Sequence, residues 1–287
     1  MTIYNLQIIS STGYPYFNRK IREQPEEIKL FLRFFDFTEK TKTQYPNLDD
    51  ETNFSLLAGL VSALFEFAKN IDKNINALAF RSGTHNKKKE HKNIKYHGDC
   101  LITTQTETYL LHKSISQKIN HIYHSFISSK IPFESAAPLT EDEQTKIIDI
   151  LTDAKAKGLV EEKMTEIKNM SEDLLQERGE YGLEAIVITS FDLSPLQVFG
   201  EKYSFEDIET ILRNIGEIPQ IDPFAWKYRQ SFLKDSQVWV YIINAGVGPT
   251  VDEKLFEPYF YLLFCDPQSY LGDFPSELTR KLNSILD

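Results

Sequence analysis

The sequence predicts an α+β protein of two domains, each running β-β-α-β-β-β-α, with a helical linker between them. Three observations carry that expectation. The 287 residues exceed the roughly 100–200 of a usual domain, and 41% hydrophobic with 13% aromatic residues can fill two cores. A strand–turn–strand, helix, three-strand, helix succession occurs on both sides of residues 140–178. That intervening stretch is charged and patterned as helix. The expected boundaries are 1–134, 135–181 and 182–287.

In the first half, residues 3–9 (IYNLQII) have strand composition, Ser11-Thr12-Gly13 makes a turn, and residues 14–21 return as a second strand. Glu26–Phe35 reads as a short helix within an acidic, aromatic stretch. Asn53–Asn70 is the clearest helix, with Thr52 as its N-cap. Ile75–Arg81, Ile94–Thr104 and Thr108–Lys113 follow as strands. Ser116–Ser128 closes the half as a helix striped by Ile119, Ile122, Tyr123 and Phe126.

Pro132 and Pro138 then interrupt the pattern. Thr140-x-x-Glu143 opens the linker as a capping box, Gly158 divides it into two helices, and Val160, Met164, Ile167 and Leu174 give it a packing seam. After Gly182 the plan returns. Leu183–Thr189 is a strand, Asp192-Leu193-Ser194-Pro195 a turn, and Leu196–Gly200 the returning strand. Ser204–Ile215 is a helix whose stripe is Phe205, Ile208, Ile211, Leu212 and Ile215, with Glu206, Asp207, Glu209 and Arg213 facing water. Phe224–Phe232, Val238–Asn244 and Tyr259–Cys265 are strands, and Leu278–Leu286 is the last helix.

Charge is divided unevenly. Before residue 138, 18 Lys and Arg accompany 14 Asp and Glu; from there on, 14 accompany 28, for a net charge of −10. An acidic whole argues against nucleic-acid binding, which needs a basic face. Cys100 and Cys265, 165 residues apart in strand-like runs, read as reduced, buried thiols of a cytosolic protein. No secretory signal, membrane-spanning run or lipidation motif is evident. A cytoplasmic location is expected.

No residue pattern points to an active site, a cofactor or a metal. The six histidines all fall between residues 85 and 124, and His121 with His124 have helical i, i+3 spacing, but a third ligand is not evident. Gly246-Val247-Gly248 precedes Pro249 and lacks the rest of a phosphate loop, so a turn is expected. Ser190 and Ser194 lack a nucleophile-elbow context, and no histidine follows residue 124. Paired carboxylates such as Asp49-Asp50 and Glu206-Asp207 suit helix starts. Lys87, Lys88 and Lys89, followed by Lys92 and Lys95, form a basic loop. That loop is either a solvated tip or a weak contact for anionic lipid headgroups, and hence a means of peripheral attachment.

The Asn53–Asn70 helix is wider in its apolar surface than one sheet can cover. Phe54, Leu57, Ala58, Val61, Leu64, Phe65 and Ala68 form one arc. Leu56, Leu60, Ala63 and Phe67 form a second, which either another part of the chain or a partner protein covers.

The opening IYNLQIISSTGYPYFNRKI, the helix NFSLLAGLVSALFEFAKN and the segment CLITTQTETYLLHKSISQKINHIYHSFI resemble a longin domain. The longin plan is related to the roadblock plan by rearrangement of the same elements. The likeness spans residues 1–130 and, less closely, 183–287; residues 131–182 lie outside it. It rests on apolar spacing, not on chemical groups. It implies two longin-like α/β/α domains, each with a five-stranded, mainly antiparallel sheet. Proteins of this tandem kind serve in membrane traffic as exchange-factor subunits for Rab-type small GTPases or as tethering-complex subunits. The resemblance therefore implies a non-enzymatic platform whose partners are a small GTPase, another longin or roadblock protein, or both. A tethering or coat subunit with no effect on nucleotide state is the alternative. The second arc, Leu56, Leu60, Ala63 and Phe67, is the expected partner contact.

Overall fold

A computed structural model describes residues 2–37 and 100–287, apart from residues 11, 12, 14, 26, 132, 134–137 and 217. It also describes residues 55, 58, 59, 62–64, 66 and 68–70. The chain forms two compact units: Met1–Thr38 with His97–Asp287, and Glu39–Tyr96. The described residues of the second unit are helical, as its sequence predicts. Ala68 is buried and Leu64 half-buried, whereas Ala58, expected on the packed arc, is exposed. The strand expected at Ile75–Arg81 lies outside the described residues.

The first unit is α+β and contains two antiparallel sheets. Strands β1 (Asn5–Ser10), β2 (Pro15–Lys20), β3 (Phe31–Asp36) and β4 (Cys100–Thr106) form a sheet in the order β2-β1-β4-β3. Strand β3 replaces the short helix expected over Glu26–Phe35. Its aromatic residues favour a pleated surface, and pairing with β4 from Phe31↔Thr106 to Asp36↔Leu101 satisfies its backbone. Arg33 fixes the strand further, donating from Nε to Thr106 at 2.8 Å and from Nη2 to the Leu110 carbonyl at 3.1 Å.

Helix α1 (His112–Ile122) covers one face of this sheet, continuing as a wide π turn through Tyr123–Ile127. Thr108–Lys113 is thus not a strand; it is a turn leading into α1. Ile115, Ile119 and Ile122 of α1 pack on Leu6, Ile8, Cys100 and Ile102. Helix α2 (Glu141–Leu151) joins that core through Ile147, Ile150 and Leu151, and starts at the expected capping box of Thr140 and Glu143.

Two more helices follow, α3 (Ala154–Glu162) and α4 (Met164–Arg178). The chain breaks at Asp153 and Lys163, and Gly158 lies inside α3. Asp153 is left-handed, with φ of 56°, a conformation that a short carboxylate side chain tolerates better than most.

The second sheet has five strands in the order β6-β5-β11-β8-β7, all neighbours antiparallel. They are β5 (Leu183–Thr189), β6 (Pro195–Phe199), β7 (Trp226–Leu233), β8 (Ser236–Asn244) and β11 (Phe260–Cys265). The hairpin of β9 (Thr250–Val251) and β10 (Leu255–Phe256) stands apart. Helix α5 (Phe205–Asn214) starts at a Ser204–Asp207 capping box, and helix α6 (Phe274–Leu286) ends the chain. Counting the hairpin aside, residues 183–287 run β-β-α-β-β-β-α.

Strand alternation sends the two sides of this sheet into different cores. Ile186, Ile188, Tyr261 and Leu263 face Val160, Ile167 and Leu174 of α3 and α4 and Leu278 and Leu282 of α6. The linker seam expected from sequence is in that core. Ala185, Val187, Leu262 and Phe264 face Ile208, Ile211 and Leu212 of α5. Phe205, expected on the α5 stripe, is exposed. Cys100 and Cys265 are free and buried, and burial pushes both thiols up to about 12.

Candidate functional site

Ionic groups gather where the four-stranded sheet and its helices meet α5 and the β5–β6 turn. The first cluster begins with Glu107, fully buried just after β4. Its carboxylate accepts from Arg213 of α5 at 2.7 and 3.0 Å and from the Tyr4 hydroxyl. Arg213 also donates to Glu209 at 3.1 Å, and Glu209 receives a bidentate pair from Arg22 at 2.8 and 3.0 Å. Two guanidinium groups thus face two carboxylates. Burial opposes the charge on Glu209, but the Arg22 hydrogen bonds hold its carboxyl below the ordinary value. Burial and the adjoining Glu107 carboxylate push the Tyr4 hydroxyl up.

This arrangement corrects the expectation that Glu209 and Arg213 face water. Glu209 is 8% exposed. Its partners Arg22 and Glu107 come from segments far away in sequence, so helical periodicity alone could not show them.

The second cluster has the opposite balance. Lys118, inside α1, is fully buried. Its Nζ donates to Asp153 at 2.5 Å and to Asp192 in the β5–β6 turn at 3.2 Å, and lies 4.0 Å from Glu257, just before β11. One ammonium faces three carboxyl groups, all 1% exposed or less. Asp192 is well supplied with donors: Ser190 Oγ at 2.8 Å and the Ser194 amide at 3.0 Å, besides Lys118. Asp153 Oδ2 and both Glu257 oxygens have no hydrogen-bond partner.

The titration behaviour follows those contacts. Burial alone would raise Asp192, but the Lys118 ammonium and the serine donors outweigh it and hold the carboxyl well below the usual range. Asp153 is pushed up to about 8 by burial and by the Asp192 charge, with Lys118 opposing. Burial likewise pushes Glu257 up to about 7. Lys118 is raised because the three carboxyl groups together outweigh its own burial.

Ordinary sequence features build this second cluster. Lys118 lies three residues after Ile115 and four before Ile122, on the stripe that α1 buries. The left-handed turn at Asp153 leads its carboxyl to the ammonium. Leu193, also left-handed at φ 65° and fully buried, shapes the turn presenting Asp192. The Gly246-Val247-Gly248 turn brings the chain against the Glu257 segment. A Cβ on Gly248 would lie 2.2 Å from the Glu257 carbonyl, so only glycine permits that approach. Ser190 and Ser194 serve Asp192 as donors.

A separate feature concerns the four-stranded sheet. Gln7, Thr103 and Phe34 are register partners on the face away from α1. On that face Leu32 is 54% and Phe34 57% exposed, with Ile9 and Leu101 half-buried beside them.

Of the partner contact expected from sequence, Ala63 is helical and exposed, while Leu56, Leu60 and Phe67 lie outside the described residues. Lys87, Lys88 and Lys89 also lie outside them. His121 Nε2 is 3.5 Å from Asp252, and His124 is exposed. Among the described residues no group of three His, Cys, Asp or Glu side chains is placed to hold a metal. No helix among them is long and apolar enough to cross a membrane. In comparisons with known proteins, no family model, no curated protein and no solved structure matches the chain.

Proposed function

We propose that the chain is a non-enzymatic interaction platform that regulates small GTPases in membrane traffic, built on two longin-like domains, residues 1–134 and 182–287. The observation carrying this reading is the outward face of the four-stranded sheet, where Leu32 and Phe34 stay exposed side by side, with Ile9 and Leu101 half-buried next to them. Covering such side chains yields on the order of 1.5–3 kcal/mol each when burial is complete, a sufficient incentive for a protein partner. The β-β-α-β-β-β-α order of residues 183–287 supports the longin likeness. The ion-paired contacts between the two sheets support a rigid surface, as displacement of a GTPase's switch loops requires.

The test follows release of a labelled guanine nucleotide from a panel of small GTPases, with binding measured in parallel. Accelerated release from one GTPase, abolished by the double substitution Leu32→Asp and Phe34→Asp, is the expected result. Binding at the intrinsic release rate would favour the alternative, a tethering or coat subunit. Absence of binding across the panel would remove the GTPase reading altogether.

A further inference from the structure

We propose that Asp153 and Glu257 are a buried proton-binding site, and that the junction between the two sheets tightens when the site is protonated and loosens when it is ionised. The inference is independent of the GTPase reading. It starts from the charge imbalance at Lys118. One ammonium and the Asp192 carboxylate, which the Ser190 and Ser194 donors also serve, neutralise each other, which leaves two further carboxyl groups in a space closed to water. Three of their four oxygens have no donor. Such a group is far more stable neutral than charged.

The neighbouring elements supply little relief. Of the other titratable groups on α1, His121 lies 3.5 Å from Asp252 of the β9–β10 hairpin, His112 lies 3.5 Å from Arg33, and Lys113 is exposed. From α3, Lys155 exerts a weak pull on Glu257, but its Nζ bonds the Thr250 carbonyl at 2.7 Å. Tyr109, whose buried hydroxyl has no partner, lies on the side of Asp192 toward Glu107, Glu209 and Arg213. The four members of the site come from α1, the α2–α3 corner, the β5–β6 turn and the β10–β11 connection. Ionising two of them places like charges between all four segments.

The sign of the pH effect follows from the raised values, about 8 for Asp153 and about 7 for Glu257. In the unfolded chain these groups release their protons near pH 4. Between that pH and the folded values the native state binds more protons, so stability falls as pH rises, then levels off. Each proton involved lowers the folded-to-unfolded ratio about tenfold per pH unit inside the window. Asp192 acts oppositely and only below about pH 4, where acid would remove its contribution.

The experiment measures urea unfolding of the full chain between pH 5 and 9, alongside amide exchange in residues 250–257 corrected for its intrinsic pH dependence. The variants are Glu257→Gln and Asp153→Asn, the latter chosen because asparagine accepts a left-handed backbone. His121→Gln is the control. Wild type and the control should lose stability across pH 5–8, each single variant should lose the dependence of about one proton, and the double variant should be nearly flat. Exchange at the hairpin should quicken with pH in wild type and not in the double variant. Equal slopes in wild type and double variant would overturn the proposal. If the variants do not fold, infrared difference spectra of the wild type decide it. A protonated carboxylic-acid band that disappears between pH 6 and 9 supports the site, and its absence at pH 6 refutes it.

Discussion

The two sheets of the first unit solve the same problem differently. The centre of the five-stranded sheet is enclosed, with α3, α4 and α6 on one side and α5 on the other, so its central strand β11 is buried at every position, while the edge strand β7 leaves Tyr228 and Phe232 exposed. The four-stranded sheet has α1 and α2 on one side and presents Leu32 and Phe34 outward on the other. Strand sequences reflect this. FYLLFC in β11 is apolar without interruption, as expected of a strand buried on both faces, whereas β1 alternates Leu6, Gln7, Ile8. The centre of one sheet is closed on both faces; the other leaves one face open.

Truncations should expose the contrast most sharply. Phe264→Ala, in the middle of the enclosed sheet, should cost about 3–5 kcal/mol, read as a lowered urea midpoint. A cost under about 1 kcal/mol would mean that this sheet is not the closed core described.

The junction that ties the sheets together comes next. Arg213→Met strips the buried Glu107 of its guanidinium partner and should cost about 2–3 kcal/mol, less than a wholly enclosed pair because Arg213 keeps 18% side-chain exposure. Adding Glu107→Met should restore part of that loss in a double-mutant cycle, since no charge is then left unpaired. Losses that simply add would show that the two residues act separately.

The smallest effect belongs to the open face. Phe34→Ala should change stability by less than about 0.5 kcal/mol, in contrast with the same truncation at Phe264. A loss of several kcal/mol there would close the face and end the comparison.

The enclosed half was the more legible in sequence. Its strands, the Ser204–Asp207 cap and the seam of Val160, Ile167 and Leu174 follow from local patterns, because each strand or helix buries a face that its own period defines. The first half was less so. In Phe31–Asp36, Phe31, Phe34 and Phe35 fit a helical stripe as well as a strand, and only pairing with β4, far along the chain, decides for the strand. The charged clusters escaped for a related reason. Glu209 and Arg213 sit beside a polar helical sector, and apart from each other their partners Arg22 and Glu107 lie 187 and 106 residues away. Lys118 did leave a trace: a lysine between Ile115 and Ile122 on a buried stripe calls for a buried acid.

Strands β3 and β4 are immediate antiparallel neighbours, with Asp36 opposite Leu101 and the Phe37 amide bonded to the Cys100 carbonyl at 2.9 Å. The chain therefore leaves the sheet and rejoins it at the same end of two adjacent strands, the geometry that an ordinary hairpin turn spans in two to five residues. Everything between them is an insertion in the topological sense. Excising residues 40–96 and closing the gap with an Asn-Gly turn would leave every described strand pairing of the first unit intact. The register in which β3 and β4 pair is therefore set by the two strands themselves and not by the length of chain between them.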